Sequence, residues 1–238
     1  MTAIASLPAN QAAPLCPAEG QRFLLHNVSW QSYRAIGEAL RDRPGLHLTY
    51  DRGTLEFMTL SPEHERCKVL LRRLIEVLAE ELNLAIGSFG STTYQREDLE
   101  KGLEPDECYY LRNLPRVRGK RRLDLTADPP PDFVIEVDIT RSSIDRLRLY
   151  AAFGVPEVWR FDGTTIHVLL LTAKGEYEPS DHSPTFPMVP IGELVRFMRQ
   201  GEAEDDTSMV RAFRAWVRRQ LVKAKPDTKR KPTRKRKR

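Results

Sequence analysis

The sequence predicts an α/β (α+β) protein in which helices flank a central mixed sheet. Three observations point there. Phe133-Val134-Ile135-Glu136-Val137 is apolar enough for a central strand, and Pro129-Pro130-Pro131 before it suits a strand start, because proline cannot donate to a ladder. Helical periodicity appears both before and after that strand. Asp162-Gly163 lies between two apolar runs, a strong hairpin signal.

Taken in order, residues 1–20 are rich in Ala, Pro and Gln and are expected to be a disordered segment. Ser29 is a plausible cap for a helix through Leu40, which Pro44-Gly45 ends. Residues 46–59 read as a hairpin around Asp51-Arg52-Gly53, with glycine where positive φ is wanted. Ser61-Pro62-Glu63-His64 is a helix start, and Cys67, Leu71, Leu74, Leu78 and Leu82 give that helix a buried stripe. Residues 86–96 read as a twisted strand or loop. Asp106 then begins a short strand in which Cys108 and Tyr110 share its face.

Beyond the central strand, Ser142 to Asp145 start a helix that Gly154-Val155-Pro156 ends. Two strands flank Asp162-Gly163. A strand with a Pro-rich loop occupies residues 172–190, and helices over residues 191–199 and 207–221 close the fold. No internal repeat is visible.

Composition bounds the function. No apolar run reaches the roughly 18 residues that a membrane span needs, and the N-terminus lacks a signal-peptide pattern. Cys16, Cys67 and Cys108 form no paired motif, so free thiols and a cytoplasmic location are expected. The net charge of +5 conceals an asymmetry: Lys223 to Arg238 hold ten basic residues against one acid. Residues 222–238 are therefore expected to be a disordered basic tail. Lys229 and Arg230 within it suit salt-sensitive phosphate contact, with simple solubilisation as the alternative. Arg116, Arg118, Lys120, Arg121 and Arg122 make a second basic run, suited to steering a polyanion or else merely solvated.

The acids carry the chemistry. Strand side chains have period two, so Asp132, Val134, Glu136 and Asp138 share one face of the central strand. Unpaired carboxylates are rarely buried. Either this is a wet edge or the carboxylates serve a cation. If the strand that Asp106 begins is a neighbour, then Asp106, Glu136 and Asp138 converge as oxygen ligands for Mg²⁺ or Mn²⁺. Each acid has a plainer alternative. Glu136 can pair with Arg146 or Arg148, Asp138 can cap a turn, and Asp106 can sit at a strand edge. Asp132 is a reserve ligand and Asp145 a helix-dipole partner. His64 points inward at the start of its helix, as a site residue or as a hydrogen-bonded core histidine. Tyr150 and Trp159 read as core.

Glu104-Pro105-Asp106-Glu107-Cys108-Tyr109, Pro131 to Thr140, Ile144-Asp145-Arg146-Leu147, Tyr150 and Gly154 to Trp159 resemble the Uma-two family of restriction-endonuclease-like proteins, in the PD-(D/E)XK nuclease superfamily. The resemblance implies an αβββαβ core within residues 21–221, Mg²⁺-dependent cleavage of DNA phosphodiester bonds, Asp106 and Glu136 as the motif acids, and His64 at the border of the site. It also exposes a departure: Arg146 stands where the family has a helix-borne lysine, and arginine cannot serve as a general base. A nuclease fold that binds DNA without cutting is the alternative. Paired cuts would need two copies, so a homodimer stays open, although no dedicated dimerisation element is legible.

Overall fold

A computed structural model of the chain describes residue 15 and residues 20–41, 43, 45–138 and 142–224. It begins with a short edge strand the sequence reading missed, β1 (Arg22–Leu25), followed by α1 (Trp30–Ala39). The Ser29 hydroxyl accepts from the Ser32 amide at 3.1 Å, satisfying one orphan donor of the first turn of α1. β2 (Leu46–Asp51) and β3 (Thr54–Thr59) form the expected hairpin. Its turn holds Arg52 at φ 42° and Gly53 at φ 89°, the paired left-handed geometry that matches strand twist. α2 (Pro62–Glu81) starts at the expected cap, with the Ser61 hydroxyl accepting from the His64 amide at 3.2 Å.

Residues 86–96 yield β4 (Gly87–Ser88) and β5 (Tyr94–Arg96), and β6 (Lys101–Leu103) pairs back on β5. β7 (Glu107–Tyr110) returns to β4 and lies beside β8 (Phe133–Val137). A four-residue helix, α3 (Leu114–Val117), takes up part of the basic run that reads as loop in the sequence. α4 (Arg146–Phe153) crosses from β8 to the parallel strand β9 (Glu157–Phe161). Asp145 is its cap, and Gly154, at φ 76°, ends it. β10 (Ile166–Leu171), β11 (Tyr177–Ser180), α5 (Glu193–Ala203) and α6 (Asp206–Ala224) complete the chain.

Two sheets result. One runs β1-β3-β2-β6-β5; the other runs β11-β10-β9-β8-β7-β4 and is antiparallel except at β8–β9. The path α2-β4-β7-β8-α4-β9 is the expected αβββαβ core, and β5 and β6 are an excursion from it into the first sheet.

Period-two alternation decides what each face of the second sheet buries. Tyr109, Phe133, Ile135 and Trp159 meet Leu71, Leu74 and Leu78 of α2 together with Phe197 and Phe213 of the closing helices. Cys108, Val134 and Val158 point the other way, onto Leu149, Tyr150 and Phe153 of α4. Burying each large apolar side chain contributes about 2 kcal/mol. The α2–α6 ion pairs Arg214–Glu80 and Arg218–Glu81 are more than half exposed on at least one side, and such pairs contribute about 0–1 kcal/mol. Packing therefore holds the layers together.

Trp30, Tyr33 and Tyr50 form a smaller core between α1 and the first sheet, with the Tyr33 and Tyr50 rings stacked at 4.6 Å. Gly102 lies under Tyr33, where a Cβ would collide with its ring and hydroxyl.

Cys67 is disulfide-bonded, against the expectation of free thiols throughout, while Cys108 is free and buried. Among the described residues no helix is long and apolar enough to cross a membrane. Most of residues 1–20, and residues 225–238 with Lys229 and Arg230, lie outside the described residues. Within the first stretch, the Leu15 amide donates to the Gly163 carbonyl at 2.9 Å, and α6 continues to Ala224.

Candidate active site

The β7–β8 register pairs Glu107 with Ile135 and Cys108 with Val134. One step outward, Asp106 comes opposite Glu136. Both side chains lie on the α4 side of the sheet, at the end where the first sheet covers it. Asp106 is 1% exposed and Glu136 7% exposed, so neither charge is left to solvent.

Asp106 is held from three directions. Its Oδ2 accepts from the Val137 amide at 2.7 Å. His64 Nε2, from the first turn of α2, lies 3.2 Å from Oδ2, and His47 Nδ1, from β2, lies 3.8 Å from Oδ1. Neither imidazole contact has hydrogen-bond alignment, and Asp106 Oδ1 has no hydrogen-bond partner among the described residues. Burial alone would raise the Asp106 pKa, but His64, His47 and Arg146 outweigh it and hold the carboxyl below the usual range. Burial would likewise depress His64, yet the Asp106 contact raises it. Burial does prevail at His47, which is pushed down to about 4 and is neutral near pH 7.

Glu136 has different partners. Its Oε1 accepts from Arg146 Nη2 at 2.8 Å and, at close range, from the Tyr150 hydroxyl. Burial pushes its pKa up, and the neighbouring Asp106 charge adds to this against the pull of Arg146. Two adjacent buried carboxyls thus divide their roles, with the proton favouring Glu136. Arg146 also donates to Thr49 Oγ1 and to the Glu104 carbonyl, both at 2.7 Å. It ties α4 to both sheets.

The third expected ligand is diverted. Asp138 Oδ2 accepts from Arg160 Nε at 2.7 Å. Among the described residues no group of three His, Cys, Asp or Glu side chains is placed to hold a metal. The triad of Asp106, Glu136 and Asp138 therefore does not assemble, because Asp138 lies where β9 presents an arginine to it. The reserve ligand Asp132 is structural, accepting from the Leu111 amide at 2.6 Å and the Asn113 amide at 3.0 Å. Asp106 and Glu136 remain. Mg²⁺ is commonly held by one or two carboxylates and keeps several waters. The partnerless Asp106 Oδ1 beside the Glu136 carboxyl fits such an ion.

A cavity of about 300 Å³ opens on this centre, lined by Arg22, Glu136, Asp138, Ser142, Arg146 and Arg160 among others. Glu56 fixes two of its lining residues, accepting from the Ser142 hydroxyl at 2.6 Å and the Ser143 amide at 2.9 Å. Arg116, Arg118, Lys120, Arg121 and Arg122 are exposed on the β7–β8 connection, with Lys120 paired to Asp128.

The sequence reading placed His64, Arg146 and the two motif acids but missed the roles of His47, Thr49 and Tyr150. The alternation of His47 and Thr49 on one face of β2 was the available signal. Tyr150 read as core from its apolar neighbours and is fully buried, and its hydroxyl also serves Glu136.

No curated protein matches the chain. A solved structure described as "a putative nuclease belonging to DUF820 from Anabaena variabilis" has 15% identity and a TM-score of 0.47, over 63% of this chain and 90% of that one. The family model described as "Uma2: Putative restriction endonuclease" matches residues 30–200, and the chain belongs to the Uma2 family.

Proposed function

We propose that the chain is a nuclease that hydrolyses DNA phosphodiester bonds at the Asp106–Glu136 centre. The observation that carries the reading is Asp106, just before β7 and bonded to the Val137 amide, set beside Glu136 of β8, with His64 and Arg146 converging on them from separate helices. Asp106 Oδ1 and the Glu136 carboxyl would hold Mg²⁺ or Mn²⁺. When bound, the ion would polarise a phosphoryl oxygen and lower the pKa of a water.

The protein's own groups supply the rest. Arg146 keeps its charge at every relevant pH and, held by Thr49, Glu104 and Glu136 in the cavity wall, lends a phosphate there fixed positive charge. His64, whose pKa the Asp106 contact raises, stands 3.2 Å from Asp106 Oδ2 and favours the ionised form of that carboxyl. The family match supports nuclease action in general; the ion and the DNA substrate are our extension of it.

The test is plasmid nicking with Mg²⁺ or Mn²⁺ against EDTA, beside a Glu136→Gln control. We expect metal-dependent nicking that the variant lacks. Equal nicking by the variant, or none by the natural chain with either metal, would overturn the reading. A second reading, DNA binding without cleavage, is favoured by one observation: the Arg146 guanidinium already occupies Glu136 Oε1 at 2.8 Å. Its signature is a DNA shift with no nicking.

A further inference from the structure

His47 and Glu104 border the acidic centre, and both also line a second cavity, of about 630 Å³. Its wall carries five arginines against two glutamates. Arg34 comes from α1, Arg41 and Arg43 from the α1–β2 connection, and Arg121 and Arg122 from the β7–β8 connection. Both glutamates are already committed. Glu38 pairs with Arg41. Glu104 accepts from the Thr93 hydroxyl at 2.9 Å.

Arg34, Arg43, Arg121 and Arg122 are all exposed, and none has an ion-pair partner among the described residues. A concave wall with an excess of one charge sign focuses its potential on whatever enters. The cavity's aromatic side chains, Tyr33 and His47, are both buried, so its lining offers no exposed platform for stacking bases. Arginine forks without a stacking surface suit phosphates rather than bases.

We propose that this groove, between α1 and the β7–β8 connection, is a track for the phosphate backbone of DNA and leads it past His47 to the Asp106–Glu136 centre. The proposal rests on the nuclease reading for its ligand. Residues far apart in sequence build the track, so it requires the folded chain and is distinct from the basic tail.

The test is fluorescence anisotropy of a labelled DNA duplex with the full chain in EDTA, so that nothing is cut, across a salt series. Each phosphate neutralised contributes about 0.9 to the slope of log affinity against log salt. Removing all four arginines (Arg34→Ala, Arg43→Ala, Arg121→Ala, Arg122→Ala) should lower the slope by about 3 to 4. The comparison variant, Arg211→Ala with Arg219→Ala, removes exposed charge from α6 and should leave affinity and slope near those of the natural chain. Equal slopes for the groove and α6 variants overturn the track while leaving the DNA reading intact. Absence of salt-sensitive binding by the natural chain overturns both. Groove-dependent binding by a chain that never nicks DNA supports the track and removes the cleavage reading.

Discussion

Asp106, immediately before β7, and Glu136, on the neighbouring antiparallel strand β8, lie together, yet they are served by separate partners. His64 and His47 attend Asp106, whereas Arg146 and Tyr150 attend Glu136. One carboxyl is held ionised and the other is biased toward its proton. This asymmetry lets two buried acids share one small volume, since like charges that close do not both ionise readily.

Asp106→Asn keeps the size of the side chain and an oxygen for the Val137 amide but removes the charge that faces His64. We expect nicking to fall on the order of 10²-fold or more, the usual loss when one preorganised electrostatic group is removed. Thermal unfolding should move little. A melting curve with a plasmid assay on the same preparation separates the two effects. Asp106→Ala should also destabilise, by about 1–3 kcal/mol, because it leaves the Val137 amide unpaired.

Glu56 fastens the segment that precedes α4 to the hairpin through Ser142 and Ser143. Glu56→Leu removes both contacts while keeping bulk, and leaves the Ser143 amide without an acceptor. A loss of about 1–3 kcal/mol in urea unfolding is expected, with faster hydrogen exchange at Ser143. Unchanged exchange there would show that Glu56 does not hold the segment.

Gly102 lies where any Cβ would collide with the Tyr33 ring. Gly102→Ala should therefore cost about 1–3 kcal/mol, as overpacking does. Tyr33→Leu in the same chain should recover part of that loss, and the double variant's melting temperature checks it.

The hairpins, α2, α4 and the central strand were legible because their signals are local: a cap, a proline, a glycine at positive φ, a period of two. Asp106 and Glu136 were legible as a pair because adjacent strands fix register. The fate of Asp138 was not, since its diversion depends on which β9 residue the parallel pairing sets nearby, and Arg160 is known only once β8 and β9 are aligned. His47 was hidden for the same reason. It reaches Asp106 only because the first sheet folds over the end of the second, a contact with no trace in spacing. The two-residue strand β4 is too short to show periodicity at all.

Arg146 and Glu136 permit a double-mutant cycle that separates support from catalysis. Arg146 is 12% exposed at its side chain and Glu136 9%, so the pair is largely desolvated. Arg146→Met alone should cost about 3 kcal/mol, the usual penalty for breaking a buried ion pair from one side. Glu136→Gln alone should cost less, because the amide oxygen still accepts from Arg146 and Tyr150. The double variant should be more stable than the sum of the two losses, with a coupling of about 1–3 kcal/mol in urea unfolding. Arg146→Lys completes the set. A lysine reaches Glu136 with a single charged head and gives up the simultaneous bonds to Thr49 and Glu104, so some stability is lost. Nicking by that variant should rise above the natural chain if the guanidinium restrains Glu136, and should fall if the guanidinium itself holds the phosphate.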